Sequence, residues 1–443
     1  MKTVSTSKMM CYGCGFCKPI CPVKAVKFHE DNFSKNNKSF SHAYIDEKKC
    51  IECNLCHEIC PSKGWRKSYI MKNQSIKEIT KALQPFEELC FCHSTNKNIR
   101  RKGTSGGMAT AILVYLLEKG VVEGVLMPSY DNLLGAKYKI IKTKEEIIQN
   151  QKSKYFCIPF DVSFDEIKKY KSLAFIGLPC HLESLTNVFK KKPKLSKIIN
   201  FKITLFCAHV QNKIFYSHLL KKQKINPDEL KRLDFRPDDW WNCDYFKIET
   251  NSKVETFPFR NDRYNALMII SNIFSRDACR FCPDFSGRNS DISLGDGWHN
   301  KLKGNKEGYN YAIIRTSFAN KILNEMLKDK KIKKHPSNFL EFSKSNLINI
   351  LKSKQYRIKE RRTYLRKKDK EALKNFKYKS GFKNTLKTAT YFKIKRFANF
   401  LQRKNILHKI PFLAYYLASA AIVLKNDFSV VTEYLLKKLK LKK

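Results

Sequence analysis

The sequence lacks both a membrane-spanning run and an apolar opening segment. Its most apolar tail stretch, IPFLAYYLASAAIVL over residues 410–424, has 15 residues, fewer than the roughly 18 that a membrane-spanning helix needs. The opening MKTVSTSKMMCYGCG contains no apolar core of the kind found in secretory leaders. We therefore expect a cytoplasmic protein without a transmembrane span.

Acidic residues are scarce as well. The chain has 40 Asp and Glu against 87 Lys and Arg, a formal net charge of +47. Such an excess is typical of nucleic-acid-binding proteins, but no recognition motif accompanies it. Most of the basic residues are Lys and occur with abundant Asn and Ile, as an AT-biased coding sequence would produce. Nucleic acid is therefore not the expected partner, and polyanion binding is kept only as an alternative function.

Cysteine, by contrast, is abundant, with 16 in 443 residues. The cysteines concentrate in C-x-x-C runs, whereas a disulfide framework would spread them along the chain. The hydrophobic content of 42% and the chain length allow two or three folded domains. We interpret the thiols as reduced metal ligands in a reducing compartment.

Two cysteine runs near the start have the spacing of a bacterial two-cluster ferredoxin, and each is followed by proline. They are Cys11, Cys14, Cys17 and Cys21, then Cys50, Cys53, Cys56 and Cys60. In such runs the fourth cysteine binds the other cluster, because it lies too far along to reach the first. The spacing predicts one [4Fe-4S] cluster on Cys11, Cys14, Cys17 and Cys60, and another on Cys50, Cys53, Cys56 and Cys21. Zinc bound by C-x-x-C pairs is the alternative, but the two complete runs contain more cysteines than such zinc sites use.

A glycine-rich segment, KGTSGG over residues 102–107, leads into the apolar stretch MATAILVYLLEKG. Apolar residues recur there at helical spacing, which predicts a helix that Gly120 stops. A helix start offers unpaired N–H groups and the positive end of the helix dipole. Because Gly106 and Gly107 have no side chains, a phosphate could approach this start closely. By itself the pattern is weakly specific.

Four further cysteines are candidates for a third tetrathiolate site. Cys180 follows the apolar run LAFI and the turn GLP, ahead of a predicted helix over residues 181–192, and Cys207 ends the run FKITLF. These strand ends belong to the edge of an α/β sheet where ligands collect. Cys279 and Cys282 form a last C-x-x-C pair just before DISLGDGW. A zinc site, or a redox pair with two unrelated thiols, remains the alternative.

Several segments together resemble the β-subunit family of coenzyme F-420 hydrogenases and dehydrogenases in order and spacing. They are KGTSGGMATAILVYLLEKGVVEGVLM, KSKYFCIPF, SLAFIGLPCHLESL, ITLFCAHV, DFRPDDWW, RDACRFCPD and DISLGDGW. The resemblance covers residues 9 to about 330, including an N-terminal ferredoxin module. The chain departs from the family at His181, where glutamine is usual. It also departs after Cys207, where Ala208 and His209 replace the usual histidine and glycine.

The resemblance implies an FAD-dependent iron–sulfur oxidoreductase with a third [4Fe-4S] cluster near the flavin. The implied FAD residues are Thr104, Ser105, Gly106, Gly107, Lys154, Tyr155 and Gly177. The implied ligands of the third cluster are Cys180, Cys207, Cys279 and Cys282. Electrons would pass between a hydride donor, F-420-like or NAD(P)H, and a redox partner protein or ferredoxin. No catalytic side chain is identified, and a ferredoxin-like electron carrier or docking subunit without its own flavin is the alternative.

The expected fold is α+β / α/β, with a helical tail. A small ferredoxin-like two-cluster domain is expected over residues 1–72 and a connector over 73–92. A larger mixed α/β flavin domain follows over 93–340, and a basic, mainly helical C-terminal region over 341–443. Residues 351–443 hold 27 Lys and Arg against 5 Asp and Glu. This tail suits either peripheral contact with an anionic membrane or a small helical domain with solvated basic faces.

Some conspicuous side chains are left without a committed role. Cys90, Cys92, Cys157 and Cys243 are interpreted as ordinary thiols outside any site. Arg236, Trp240 and Trp241 of DFRPDDWW are candidates for packing beside the flavin, although neighbouring tryptophans are more often core or interface anchors.

Overall fold

The structure is a computed structural model that describes most of the chain up to residue 343. The described residues are 4, 10–32, 38–63, 75–132, 135–237, 245–258, 274–297, 307–343 and 354. They form an N-terminal segment that carries the two cysteine runs and a central α/β unit. No helix in these ranges has the length and apolarity needed to span a bilayer.

The N-terminal segment contains two α-helical turns, one 3-10 turn and one hairpin. Its elements are α1 (Cys17–Ile20), β1 (Val26–Asn32), β2 (Lys38–Ile45), α2 (Leu55–Glu58) and a 3-10 turn (Pro61–Lys63). Each α-helical turn lies inside one cysteine run, and β1 pairs antiparallel with β2 between the runs. Gly13 and Gly15 have φ of 78° and 85°, a conformation that suits glycine.

The central unit is built on an eight-stranded mixed sheet with a separate three-stranded sheet. Its strands are β3 (Glu88–Ser94), β4 (Gly124–Asn132), β5 (Gly135–Ile141), β6 (Leu173–Gly177), β7 (Ile199–Leu205), β8 (Leu230–Asp234), β9 (Tyr245–Thr250), β10 (Val254–Pro258), β11 (Ile292–Asp296), β12 (Asn310–Ile314) and β13 (Ile332–Ser337). The large sheet has the order β13-β3-β12-β11-β7-β6-β4-β5, and the small one β10-β9-β8. A large mixed sheet confirms the expected mixed α/β architecture.

The helices follow the strands in the pattern of an α/β unit. They are α3 (Ile76–Leu83), α4 (Lys97–Lys102), α5 (Met108–Glu118), α6 (Lys144–Gln149), α7 (Phe164–Ile167), α8 (Pro179–Lys191), α9 (Lys194–Ile198), α10 (Lys213–Lys222), α11 (Ser317–Lys328) and α12 (Phe339–Ser343). Two 3-10 turns, Pro227–Glu229 and Ala278–Phe281, complete the unit. The predicted helix after KGTSGG is α5, and it ends before Gly120, whose φ is 66°. The predicted helix after GLPC is α8, which starts two residues early because proline suits the first helical turn.

One edge of the large sheet collects the candidate residues. Strands β4, β6, β7 and β11 run parallel, so their carboxyl ends share this edge. Strand β12 pairs antiparallel with both β11 and β3, which gives β3 the direction of the parallel strands. The start of α5 is tied to the end of β3, because the Ser94 N–H donates to the Gly106 carbonyl at 2.8 Å.

The N-terminal segment and the central unit share one hydrophobic core. Phe16 stacks on Phe160 with ring centroids 4.2 Å apart, and both rings are fully buried. The Phe160 N–H donates to the Cys14 carbonyl at 2.9 Å. Arg276 Nη2 donates to the Cys11 carbonyl at 2.9 Å. The first cysteine loop is therefore fixed against the central unit by apolar packing and by backbone hydrogen bonds.

Candidate functional site

The first cysteine quartet lies where the N-terminal segment meets the central unit. Burial raises the pKa of Cys14 to about 11, with a further contribution from the neighbouring thiol of Cys11. Burial also raises the pKa of Cys17 well above its ordinary value, and Cys14, Cys11 and Cys60 add to the shift. The structure thus brings the four thiols of the first predicted cluster into one neighbourhood. Buried thiols of this kind ionise readily only when a metal core compensates the thiolate charge.

The second quartet combines the second cysteine run with one residue of the first run. Burial raises the pKa of Cys56 to about 11, and the thiols of Cys21, Cys53 and Cys50 contribute to the rise. Cys21 therefore lies beside the second run, as the crossed pairing requires. Cys53 is exposed, and 60% of Ile51 is open to solvent. This quartet lies at the protein surface, and its role as a ligand set stays a prediction.

A cavity at the carboxyl edge of the sheet is lined by all four cysteines of the third predicted site. Burial raises the pKa of Cys207 to about 12 and that of Cys282 to about 11, and Lys354 opposes both shifts. Burial raises the pKa of Cys180 well above its ordinary value, and Cys207, Cys282 and Cys279 contribute. Four thiols from three separate chain segments thus converge on one space.

The first and third quartets adjoin one another. Tyr12 and Gly13 of the first cysteine loop form part of the cavity wall that holds Cys180. The thiol of Cys14 contributes to the raised pKa of Cys180, whose main cause is burial. Within the described ranges, no three Cys, His, Asp or Glu side chains converge tightly enough to hold a single metal ion.

Local turns fix the cysteines of the third site. Cys180 occupies the second position of α8, and the Cys207 N–H donates to the Phe285 carbonyl at 3.0 Å. The carboxylate of Asp284 accepts from the backbone N–H groups of the three residues 286–288 at 3.0, 2.8 and 3.2 Å. The chain after Cys282 is therefore held in a tight turn.

His181 supports the turn that presents Cys180. Its Nδ1 accepts from the Leu178 N–H at 3.0 Å, and its Nε2 donates to the Ile158 carbonyl at 3.0 Å. Burial lowers the pKa of His181 to about 4, so the ring is neutral near pH 7. The residue that departs from the family pattern has a structural role here.

Four of the predicted flavin residues lie together at the same sheet edge. The Thr104 hydroxyl accepts from the Ser153 N–H at 3.1 Å, which joins the KGTSGG and KSKY segments. The Ser105 hydroxyl donates to Asp296. Arg236 forms two hydrogen bonds of 2.8 Å to the Asp296 carboxylate and lies 5.9 Å from the centre of the Tyr155 ring.

Lys154 is a buried amine in this group. Its Nζ donates to the Asn150 carbonyl at 2.7 Å and lies 4.3 Å from the centre of the Tyr130 ring. Burial lowers the pKa of Lys154 to about 7, and Arg232 adds to the effect. The buried Tyr130 hydroxyl has no hydrogen-bond partner among the described residues. A buried amine over the Tyr130 ring, together with that ring's hydroxyl, offers two donors that an anionic ligand such as a flavin phosphate would use.

The glycines of the segment allow close packing of the backbone. A Cβ at Gly106 would lie 2.7 Å from the Cys92 carbonyl oxygen, and one at Gly107 would lie 2.8 Å from the Ile99 carbonyl oxygen. The first N–H of α5, on Met108, donates to the Asn310 side chain at 3.0 Å. Phosphate binding at the glycines therefore stays a prediction. Gly177, a further predicted flavin residue, ends β6 at the turn toward the third cysteine site.

Family models match most of the described chain. The N-terminal and C-terminal models of the coenzyme F-420 hydrogenase/dehydrogenase β subunit match residues 90–162 and 170–338, and a 4Fe-4S dicluster domain matches residues 10–63. The chain belongs to the coenzyme F-420 hydrogenase/dehydrogenase β-subunit family. The expected family is thereby confirmed, and the dicluster match supports the expected iron–sulfur clusters.

This β-subunit family member is similar to proteins of Methanocaldococcus jannaschii and Methanosarcina barkeri. An uncharacterised protein of Methanocaldococcus jannaschii is 26% identical over 336 residues, which cover 70% of this chain and 84% of that protein. The coenzyme F-420 hydrogenase subunit β of Methanosarcina barkeri is 22% identical over 283 residues, covering 61% and 90%. A chain in the structure of the F-420-reducing [NiFe] hydrogenase complex from Methanosarcina barkeri superposes with a TM-score of 0.50 at 20% identity, over 63% of this chain and 92% of that one. These likenesses support the fold of the central unit.

Two residues of this family member were missed by the sequence patterns. Cys157 lines the third cavity, and its thiol donates to the Gly13 carbonyl at 3.4 Å. Lys354 Nζ donates to the carbonyls of Cys207 and Asp284, both at 2.7 Å. Burial opposes the charge of Lys354, but the nearby thiols and the carboxylate of Asp284 outweigh it and raise its pKa above the ordinary value. No sequence signal marks this lysine, because it is one of many in a basic tail.

Other expectations lie outside the described residues. These are the proposed packing of Trp240 and Trp241 beside the flavin, the assignment of Cys243, and the apolar tail stretch at 410–424. Cys90 and Cys92, interpreted as ordinary thiols, are buried in strand β3, next to the edge strand β13.

Proposed function

We propose that the chain is an iron–sulfur flavoprotein oxidoreductase that passes electrons between a hydride donor at FAD and three [4Fe-4S] clusters. The observation that carries this proposal is the cavity in which Cys180, Cys207, Cys279 and Cys282 meet the first cysteine loop. This cavity shares the carboxyl edge of the sheet with the group around Lys154. When bound, FAD exchanges electron pairs and clusters exchange single electrons.

The three cysteine quartets hold one cluster each in this proposal. Cys11, Cys14, Cys17 and Cys60 hold the inner ferredoxin cluster, Cys50, Cys53, Cys56 and Cys21 the outer one, and Cys180, Cys207, Cys279 and Cys282 the third. Because the third and inner quartets adjoin and the outer quartet is exposed, the chain of sites leads from the sheet edge to the surface. The protein thereby offers a continuous route between a buried donor site and a partner.

Hydrogen bonds from the protein orient the sulfur ligands. The hydroxyl groups of Ser184 and Ser62 lie 3.1 Å from the sulfurs of Cys14 and Cys60. The Ala25 N–H donates to the sulfur of Cys21 at 3.2 Å. Donors around cluster sulfurs stabilise the more negative, reduced form and so raise the reduction potential.

The group around Thr104 and Lys154 binds FAD in this proposal. The Lys154 ammonium neutralises part of the charge of a phosphate or of an anionic flavin ring, and Tyr130 supplies a hydroxyl donor. Arg236 is held rigidly by Asp296 and orients the ring of Tyr155. The protein contributes binding, orientation and electrostatic tuning, and no side chain acts as a covalent nucleophile.

The proposed hydride donor is a deazaflavin of the F-420 type or NAD(P)H. Relatives that carry the name coenzyme F-420 hydrogenase subunit β support the deazaflavin and also support a protein partner. The partner is a redox protein or ferredoxin that reaches the exposed loop around Cys53.

A ferredoxin-like carrier without its own flavin is the second candidate. One observation favours it: the space beside Gly106 and Gly107 is occupied by backbone atoms of the chain itself. Such a carrier would use the central unit for docking and the eight N-terminal cysteines for electron transfer.

Anaerobic reconstitution followed by iron and flavin analysis separates the two candidates. The flavoenzyme should contain about twelve irons and one FAD per chain, whereas the carrier should contain about eight irons and no flavin. The flavoenzyme should then show flavin reduction with reduced F-420, NADH or NADPH, or oxidation by a ferredoxin. A chain that retains FAD but reacts with none of these would refute the proposed activity.

A further inference from the structure

A lysine beyond the end of the family match forms part of the wall of the third cysteine site. The match ends at residue 338, yet Lys354 lines the cavity with the four cysteines. Only 4% of Lys354 is exposed. Its Nζ lies 2.7 Å from the carbonyl oxygens of Cys207 and Asp284 and 3.6 Å from the sulfur of Cys282.

Burying an ammonium group is costly unless nearby groups compensate its charge. The two carbonyls accept hydrogen bonds from Lys354 but carry no net charge. The carboxylate of Asp284 is already bound by three backbone N–H groups of the following turn. The groups whose negative charge acts on Lys354 are the carboxylate of Asp284 and the sulfurs of Cys282, Cys207 and Cys279. The sulfurs become negative when they bind a metal core.

We propose that Lys354 is the counter-cation of the third cluster, a positioning residue whose fixed charge stabilises the loaded site and favours its reduced state. This inference rests on the proposed third cluster. Four thiolates on a [4Fe-4S] core carry a formal charge of about −2 when oxidised and about −3 after one electron is added. A cation beside two of the ligands is attracted more strongly to the reduced form, because the interaction grows with the charge.

The geometry limits what the lysine can do. Its two short hydrogen bonds hold the ammonium group in place, so its charge acts at a fixed distance from Cys282. The residue has no route to bind iron while it is protonated. Lys354 therefore raises the midpoint potential of the third cluster without being one of its ligands. A residue beyond the family match thus takes part in electron transfer.

The test compares four forms of the full chain after anaerobic reconstitution: wild type, Lys354→Met, Lys354→Arg and Lys328→Met. Lys328 is an exposed lysine of α11 and serves as the control for the loss of one positive charge. A redox titration monitored by electron paramagnetic resonance gives the midpoint potentials. The signal of the third cluster is the one that Cys279→Ser removes.

In Lys354→Met, the equilibrium constant for reduction of the third cluster should fall at least about tenfold, which lowers its midpoint by 59 mV. Lys354→Arg should stay near the wild type, and Lys328→Met should leave the midpoint unchanged. If Lys354→Met loses four irons while Lys354→Arg keeps them, the positive charge is needed for the third cluster to bind at all.

Two results would overturn the inference alone: an unshifted midpoint in Lys354→Met with about twelve irons bound, or equal loss of the third cluster in the methionine and arginine variants. A wild-type chain that binds only about eight irons would overturn the proposed third cluster itself, and with it this role for Lys354.

Discussion

The two cysteine loops of the N-terminal segment have the same spacing but different surroundings. In the first loop Cys14 is buried against the central unit and Cys17 is buried within the N-terminal segment, whereas in the second loop Cys53 is exposed. The first loop adjoins the third quartet, and the second faces solvent beside Ile51. Identical motifs thus acquire different roles from their contacts, and in our proposal one serves the interior and the other a partner.

The backbone shows why the loops are not interchangeable. A Cβ at Gly15 would overlap the backbone of Phe160, so the first loop needs glycine to approach the central unit. At the corresponding position of the second loop, Asn54 has a left-handed φ of 59° and is exposed. Asparagine tolerates that conformation, and no neighbour requires the smaller residue there.

The largest effect is expected when serine replaces the last cysteine of either run, which is predicted to bind the cluster of the other run. Cys60→Ser should remove about four irons and the inner cluster, whereas Cys21→Ser should remove about four irons and the outer cluster. In both variants flavin reduction by the hydride donor should persist, while electron transfer to an external acceptor should be almost abolished. Iron analysis, spectroscopy and stopped-flow measurements check this.

The crossed assignment can be contradicted directly. The predicted division of the two quartets is wrong if Cys60→Ser and Cys21→Ser lose the same cluster, or if Cys60→Ser removes the cluster of the exposed loop. Cys92→Ser, a change in strand β3 far from both loops in sequence, should retain all clusters and serves as the control.

The next largest effect is expected at the junction of the first loop. Phe160→Ala removes a fully buried ring that stacks on Phe16, and should lower the free energy of unfolding by about 3–5 kcal/mol. Chemical denaturation of the iron-loaded chain measures this change. A loss below about 1 kcal/mol would show that the first loop does not depend on the central unit.

A smaller effect is expected from pH on the affinity for FAD at the buried Lys154. The pKa of Lys154 lies near 7 because of burial, and a bound flavin phosphate should raise it. Binding of FAD then takes up a proton above pH 7, so the affinity should fall by up to about tenfold per pH unit from pH 7 upward. Fluorescence titration with FAD between pH 6 and 9 measures the slope.

Lys154→Met isolates the source of this pH dependence. The variant should bind FAD more weakly at pH 6 and should lose the fall in affinity above pH 7, because it has no proton to gain. A wild-type slope that survives in Lys154→Met would assign the titration to another group and would remove Lys154 from the flavin site.

The smallest effect is expected at the exposed loop. Because 60% of Ile51 is open to solvent, Ile51→Ala should change the free energy of unfolding by no more than about 0.5 kcal/mol. The rate of electron transfer to a protein acceptor should fall, while the rate to a small dye should not. Equal destabilisation by Ile51→Ala and Phe160→Ala would contradict the inner and outer assignment of the loops.

Local patterns were sufficient to predict much of the central unit. The apolar periodicity and Gly120 predicted α5, and the helix predicted after GLPC is α8. The strand ends that precede Cys180 and Cys207 were also placed correctly, because parallel strands with short turns have strong local signals.

Contacts between distant residues were not predictable from the same patterns. Lys354 lies 147 positions from Cys207, and one lysine among many has no distinguishing neighbour in sequence. The stacking of Phe16 on Phe160 and the hydrogen bond from Arg276 to the Cys11 carbonyl are likewise decided by tertiary packing. The sequence therefore predicted four of the five cysteines that line the third cavity, but it did not predict Cys157 or Lys354.

Counting electrons tests the central claim most directly. Anaerobic titration of the reconstituted chain with dithionite, followed by absorbance and electron paramagnetic resonance, should consume about five electrons per chain, one for each of three clusters and two for the flavin. Uptake of about two electrons, with no flavin bleaching and only two cluster signals, would contradict the account.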